Sequence, residues 1–203
     1  MKLILASSSP RRRELLAQIG VQFEVQSTDI DETPLVGEQA SSYVVRMARE
    51  KAMACISLLQ ETQAFTIVGA DTSVIVDDEI LGKPADYCSA KEMLLRLSGR
   101  EHQVMTSVCV ATYNNGVTTK DPVINTQLVV TDVRFRPLSE NQIQAYWDSG
   151  EPQDKAGAYG IQGFGVVFVE SIKGSYSAVV GLPLAETAEL LCSAGVDIWQ
   201  KEY

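Results

Sequence analysis

What most constrains this chain is the order in which its apolar periodicities change. Residues 2–6 (KLILA) form an apolar run with the length of a buried strand. Ser9-Pro10 follows at once, a helix start with serine at the N-cap and proline at the first helical position. Leu15, Leu16 and Ile19 supply the apolar stripe of that helix, and Gly20 closes it. Residues 21–25 read as a second strand, 39–59 as a long helix, and 65–70 as a buried strand continuing extended to 76, with a turn at Asp77-Asp78-Glu79. Ser89 and Glu92 read as the capping box of a helix through Leu97, and Ser139 with Gln142 as the start of another. Residues 103–113 and 126–135 are consecutive β-type segments with a turn signal at Asn115-Gly116. A strand at 166–172 and a helix at 184–194 complete the pattern. Strand–helix alternation that gives way to consecutive strands predicts an α/β fold with a mixed sheet and flanking helices. With 203 residues, no internal repeat and no low-complexity linker, one domain spanning 1–203 is expected.

Charge and residue counts remove several function classes. A net charge of −9 disfavours a surface for nucleic acid, which requires net positive charge, but leaves room for a small anionic ligand in a cleft with gathered cations. Cys55, Cys88, Cys109 and Cys192 form no C-x-x-C pair and read as buried small hydrophobes in a reducing compartment. One histidine, His102, leaves no basis for a His-based zinc site or a Ser-His-Asp triad. No run approaches the ~18 apolar residues of a membrane span, and residues 3–6 are too short for a signal-peptide core, so a cytoplasmic location is expected.

Several segments could carry chemistry. Ser7-Ser-Ser-Pro-Arg11-Arg12 stands between a strand and a helix, where free N–H groups, hydroxyls and guanidinium groups attract phosphate. Ser9, Arg11 and Arg12 are its candidate ligands, although serine and arginine are also common at solvated helix starts. Asp71 ends a buried strand in Gly69-Ala-Asp-Thr72, a position where a carboxylate can hold Mg²⁺ or take a proton from water. Asp29, Asp31 and Glu32 make an acidic cluster, and Glu32 with Asp71 would suffice for a magnesium site serving a triphosphate. Lys51 falls on the apolar stripe of the long helix, four residues after Met47 and four before Cys55, and an inward lysine needs a partner. Lys83 lies between Gly82 and Pro84, which favour an extended, closely approaching backbone. Lys155 opens the glycine-rich run to Gly163, where the side-chain amide of Gln162 can donate and accept at once and so matches the edge of uracil or thymine. Neither a G-x-G-x-x-G fingerprint nor a P-loop occurs. Each signal taken alone also has an ordinary reading as a turn, solvated loop or snorkelling lysine.

Taken in order, Ser7-Ser-Ser-Pro-Arg-Arg12, Gly69-Ala-Asp-Thr72, Gly82-Lys-Pro84, Leu97-Ser-Gly99, Asp154-Lys-Ala-Gly157 through Gly163, and Val180-Gly-Leu-Pro183 resemble the Maf family over essentially the whole chain. The resemblance implies a curved mixed sheet with helices and two lobes around a central cleft, related to enzymes that remove non-standard purine triphosphates. It implies a nucleoside triphosphate pyrophosphatase with Asp71 as proton acceptor and Arg12, Glu32, Lys51 and Lys83 as the surrounding cations and carboxylate. Of two branches, one acting on dTTP and UTP and the other on 7-methyl-GTP, the segments Gly69–Thr72 and Tyr159–Gly163 are similar to the first. Its specificity positions map onto Arg11, Thr72 and Gln162. Ala178 departs from the asparagine common in the family, which puts base choice or affinity in question if that asparagine touches substrate. A homodimer is also suggested by the resemblance.

The expected chemistry has Arg12, Lys51 and Lys83 neutralising a triphosphate, a divalent cation (Mg²⁺, Mn²⁺ or similar) on Asp71 and Glu32, and Asp71 activating water against the α-phosphorus. Two rivals stay open at this point. One is a nucleotide- or nucleic-acid-binding regulator of septum formation without turnover. The other is a phosphatase with Asp71 as nucleophile, which usually needs a second aspartate where Ser73 stands.

Overall fold

The computed structural model describes residues 2–59, 64–113 and 121–199. The Asn115-Gly116 turn signal lies outside the described residues. Strand β1 (Lys2–Leu5) is followed by α1 (Pro10–Gln18), β2 (Glu24–Val25) and α2 (Ala40–Ser57). Then come β3 (Phe65–Val76), β4 (Glu79–Leu81), α3 (Tyr87–Leu97), β5 (Glu101–Tyr113) and β6 (Val123–Phe135). Helix α4 (Glu140–Asp148), three 3-10 turns, β7 (Val169–Lys173), α5 (Tyr176–Val180) and α6 (Leu184–Ser193) complete the described chain. The seven strands form one mixed sheet in the order β2-β1-β3-β5-β6-β7, with β4 paired to β3. The β2–β1–β3 pairings are parallel and all others antiparallel, as the switch from alternation to consecutive strands predicts.

Side-chain alternation along β1 and β3 divides the core. Ile4, Ala6, Phe65 and Ile67 pack with Ala48, Ala52 and Cys55 of α2 on one face. Leu3, Leu5, Val68 and Ala70 face the other side and pack with α1 and α6. Farther along that second face, Val74 and Val76 join a separate core with α3, α4 and Phe135. Between the two cores on that face stand Thr72 and, opposite it on β5, Thr106. The expected division around a cleft follows from this interruption of the apolar pattern by two hydroxyls.

Pairing along β3 opens the cleft. Strand β1 covers its edge as far as Val68, and β4 resumes the cover only at Val74. Residues 69–73 thus face a gap in the sheet. Asp77 and Asp78 both take left-handed backbone conformations, the signature of a two-residue hairpin turn that aspartate tolerates. The hairpin runs the chain back along β3 with Val74 opposite Leu81. Continued by two residues, that register sets Lys83 opposite Thr72.

Some expectations need correction. Helix α3 starts at Tyr87, not Ser89, because Asp86 caps it by accepting from the Ser89 N–H at 2.8 Å; its charge also favours the helix N-terminus. The Ser139–Gln142 capping box is present. The strand expected from 166 starts at 169, since Phe164–Phe168 is a 3-10 turn whose first amides bond to Glu151 rather than to a neighbouring strand. Strand β2 shrinks to two exposed residues. Cys55 and Cys109 are buried as expected, but Cys88 and Cys192 lie on outward helix faces and are exposed. Leu58 falls beyond the end of α2 and is exposed. Among the described residues no helix is long and apolar enough to cross a membrane.

Candidate active site

A cleft of about 870 Å³ opens at the gap beside β3. All ten residues singled out above, Ser9, Arg11, Arg12, Glu32, Lys51, Asp71, Thr72, Lys83, Lys155 and Gln162, line it. Asp29 and Asp31 of the acidic loop do not. Asp31 instead turns back to accept the Thr33 N–H at 2.9 Å, and the Thr33 side chain, with that N–H, lowers its pKa.

The floor is an ion triad. Lys51 Nζ lies 2.6 Å from Glu32 Oε1 and 2.7 Å from Asp71 Oδ1. Asp71 is 7% exposed, so its charge needs this partner. Helix α2 reaches the strand because Gly69 has no side chain: a Cβ there would collide with the Ala48 carbonyl oxygen and stand 2.9 Å from the Ala52 nitrogen. Lys51 lies within that same turn of helix. Partial burial opposes ionisation of Glu32, but the Lys51 hydrogen bond and charge, with Lys83 and Arg12 adding, hold its pKa below the usual carboxylate value. The Tyr43 hydroxyl donates to the Glu32 carbonyl at 2.8 Å. Burial, with the charges of Asp71 and Glu32, pushes that phenol up to about 12. Arg46 braces the same loop through both Glu38 oxygens at 2.7 Å and the Thr33 carbonyl at 3.1 Å.

On the opposite sheet face, Arg12 is held from three directions. Its Nε donates to the Gly181 carbonyl at 2.9 Å, and its terminal nitrogens donate to Ser7 Oγ at 3.4 Å and Thr72 Oγ1 at 3.3 Å. A guanidinium has five N–H donors, so two are left for an anion. Burial draws the Arg12 pKa below its ordinary value, opposed by Asp71 and reinforced by Arg11. Ser9 caps α1, its hydroxyl accepting from the Arg12 N–H at 3.4 Å. Thr72 Oγ1 lies 3.1 Å from Thr106 Oγ1, and Thr106 donates to the Ala178 carbonyl at 2.7 Å. Ala178 is fully buried and absent from the cleft wall; its backbone, through Thr106, is what bears on Thr72.

The far rim comes from the glycine-rich run. Arg11 lies 3.6 Å from Asp154, which also pairs closely with Lys155. Lys155 donates further to the Glu151 carbonyl at 3.1 Å. Gln162 is exposed to the cleft.

Sequence reasoning missed Tyr43, Thr106, Tyr146 and Glu151. Tyr43 was legible: with Met47 and Lys51 it keeps the four-residue spacing of the inward helix face. Thr106 meets Thr72 34 residues away, and Glu151 meets the Phe164 and Gly165 amides 13 and 14 residues away, which no local pattern signals.

Among the described residues no three His, Cys, Asp or Glu side chains converge as a metal cage. Asp71 and Glu32, both within 2.7 Å of one nitrogen, fit the habit of Mg²⁺, which takes one or two carboxylates and completes its shell with water and substrate phosphates.

Comparison with known proteins bears on this geometry. The family described as Maf-like protein matches residues 2–194. The dTTP/UTP pyrophosphatase of Hahella chejuensis is 52% identical over 98% of this chain and 94% of that one. The dTTP/UTP pyrophosphatase of Vibrio cholerae is 52% identical over 94% of this chain and 96% of its own. Among solved structures, the Staphylococcus aureus Ham1 protein covers 74% of this chain and 100% of its own at 13% identity and a TM-score of 0.38, a likeness too distant to bear on the chemistry.

Proposed function

The chain belongs to the Maf family, and on that footing we propose that it hydrolyses dTTP and UTP to the nucleoside monophosphate and pyrophosphate. The observation that carries this is the triad of Lys51, Glu32 and Asp71 on the floor of a cleft walled by Arg12 and Lys83. Two carboxylates beside a polyphosphate would repel it; the cations Arg12, Lys51 and Lys83 offset that repulsion, and a divalent metal on the carboxylates would add to this. That the relatives carry an enzyme's name favours turnover over a purely regulatory role.

In this reading Arg12, Lys51 and Lys83 bind and orient the phosphates. A divalent cation held by Asp71 and Glu32 would neutralise charge on the phosphates. Asp71 Oδ1 is committed to Lys51, while Oδ2 carries a long contact, 3.5 Å, from Ser73 Oγ. Oδ2 therefore takes the proton of the attacking water as its oxygen bonds to the α-phosphorus. The bond from that phosphorus to the bridging oxygen breaks, and pyrophosphate departs. Lys51, 2.7 Å from Oδ1, fixes the aim of Asp71. At the other end Arg11, Thr72 and Gln162 face the nucleoside, with Ser9 and Lys155 completing the wall.

The test is a panel of natural and modified triphosphates, with products identified by ³¹P NMR before and after chelation of divalent metal. Pyrophosphate from UTP and dTTP, lost on chelation and restored by Mg²⁺, is the expected result. Orthophosphate release, or tight UTP binding without turnover, would overturn the proposal.

A further inference from the structure

Gln162 sits at the apex of a bend whose two limbs are tied to one pair of side chains. Glu151 Oε1 accepts the Tyr146 hydroxyl at 2.8 Å and the Gly165 N–H at 3.1 Å. Its Oε2 accepts the Phe164 N–H at 2.6 Å. The Tyr146 oxygen in turn accepts the Gly160 N–H at 3.0 Å. The chain is thus held at 160 before the apex and at 164 and 165 after it. Ile161 adds an apolar anchor, being 6% exposed within the core.

The fit leaves no slack. A Cβ on Gly163 would collide with the Glu151 carboxylate, and one on Gly165 would lie 2.6 Å from both the Gly160 carbonyl oxygen and the Tyr146 hydroxyl. Ile161 also lines the cleft but is buried, and residue 163 is glycine, so Gln162 is the exposed side chain this bend carries on the cleft wall. A carboxylate suits the task because it accepts several donors at once, and charge strengthens each bond. Partial burial opposes its ionisation, but the two amides, Tyr146 and Lys155 keep Glu151 ionised below the usual carboxylate range.

We propose that Glu151, through the Tyr146 hydroxyl and the amides of Phe164 and Gly165, is the positioning residue for the Gln162 amide and so sets the choice among nucleobases. This rests on the reading of Gln162 as the base-facing group. The Glu151 carboxylate bonds to the backbone of the bend that carries Gln162, so its loss shows in the preference between triphosphates.

The experiment is a double-mutant cycle read as the ratio of kcat/KM for UTP to that for GTP. Gln162→Ala is expected to lower the ratio about ten-fold, the worth of an ordinary hydrogen bond. Glu151→Ala lowers it to a similar extent, and the double variant falls no more than about two-fold further, the mark of two residues acting as one unit. Multiplying effects, or a Glu151→Ala protein whose kcat falls while the ratio stays, would overturn the proposal. Tyr146→Phe keeps the ring and removes one arm of the clamp; it covers the case in which Glu151→Ala does not fold, and an unchanged ratio there is equally fatal. A Gln162→Ala ratio equal to wild type would remove the base-facing reading and this proposal with it. A wild-type chain that turns over neither UTP nor dTTP would refute the proposed activity instead, and the same cycle read as UTP and GTP affinity by calorimetry would then decide on the clamp.

Discussion

Replacing Gly69 with alanine would put a methyl group where helix α2 already stands. Its Cβ would overlap the Ala48 carbonyl oxygen, lie 2.9 Å from the Ala52 nitrogen and 3.0 Å from the Ala52 Cβ. Two of these atoms are helix backbone, so no rotamer change relieves the contact. To restore ordinary carbon contacts the helix must retreat by about 0.5–1 Å. Overpacking of this kind costs about 1–3 kcal/mol, which for a chain of this size lowers Tm by roughly 2–4 °C per kcal/mol. The same retreat draws Lys51 off Asp71, now 2.7 Å away, and a misplacement near 1 Å at a reacting centre can cost about 10²-fold in rate. Gly69→Ala should therefore lose stability and turnover together, measured by thermal unfolding and by pyrophosphate release. Gly82→Ala, where nothing lies within 4 Å of the added Cβ, should unfold at the wild-type temperature. A Gly69→Ala protein with wild-type Tm and wild-type turnover would show that close packing of α2 on β3 does not set the triad.

Asp71→Asn keeps the shape of the side chain and removes the proton acceptor; turnover should fall ~10²-fold or more while the protein stays folded, and near-normal turnover would take Asp71 out of that role. His102 supplies a pH test away from the chemistry. It is 3% exposed, its Nε2 lies 2.9 Å from the Tyr159 hydroxyl, and burial draws its pKa from 6.5 to about 4. Between those values the unfolded chain takes up a proton that the native one refuses, so stability present above pH 6.5 is lost as pH falls toward 4, by at most about 1.4 kcal/mol per unit. Urea midpoints across that window should fall less steeply for His102→Gln than for wild type, and parallel curves would refute the assignment.

Much of this protein was legible in its residue order. The strand–helix alternation up to Val76 and the strands after it are local periodicities, and they translate directly into the parallel and antiparallel halves of the sheet. Lys51 announced itself because helical phase is fixed by 3.6 residues per turn, so a lysine in step with Met47 and Cys55 must point inward. Where local signals compete, residue order is ambiguous: Asp86 and Ser89 can both cap a helix, and the aspartate prevails.

What the sequence could not decide is which distant groups meet. Lys83 arrives at the cleft because two aspartates accept left-handed backbone in a hairpin. Arg12 and Thr72 converge because Gly181, 169 residues from Arg12, offers its carbonyl. Glu151 looks like one more surface acid until the fold brings the amides of Phe164 and Gly165 to it. Periodicity is a property of neighbours and is written in the chain. Convergence depends on strand register and on helices seated against glycine, and these exist only once the whole sheet is assembled.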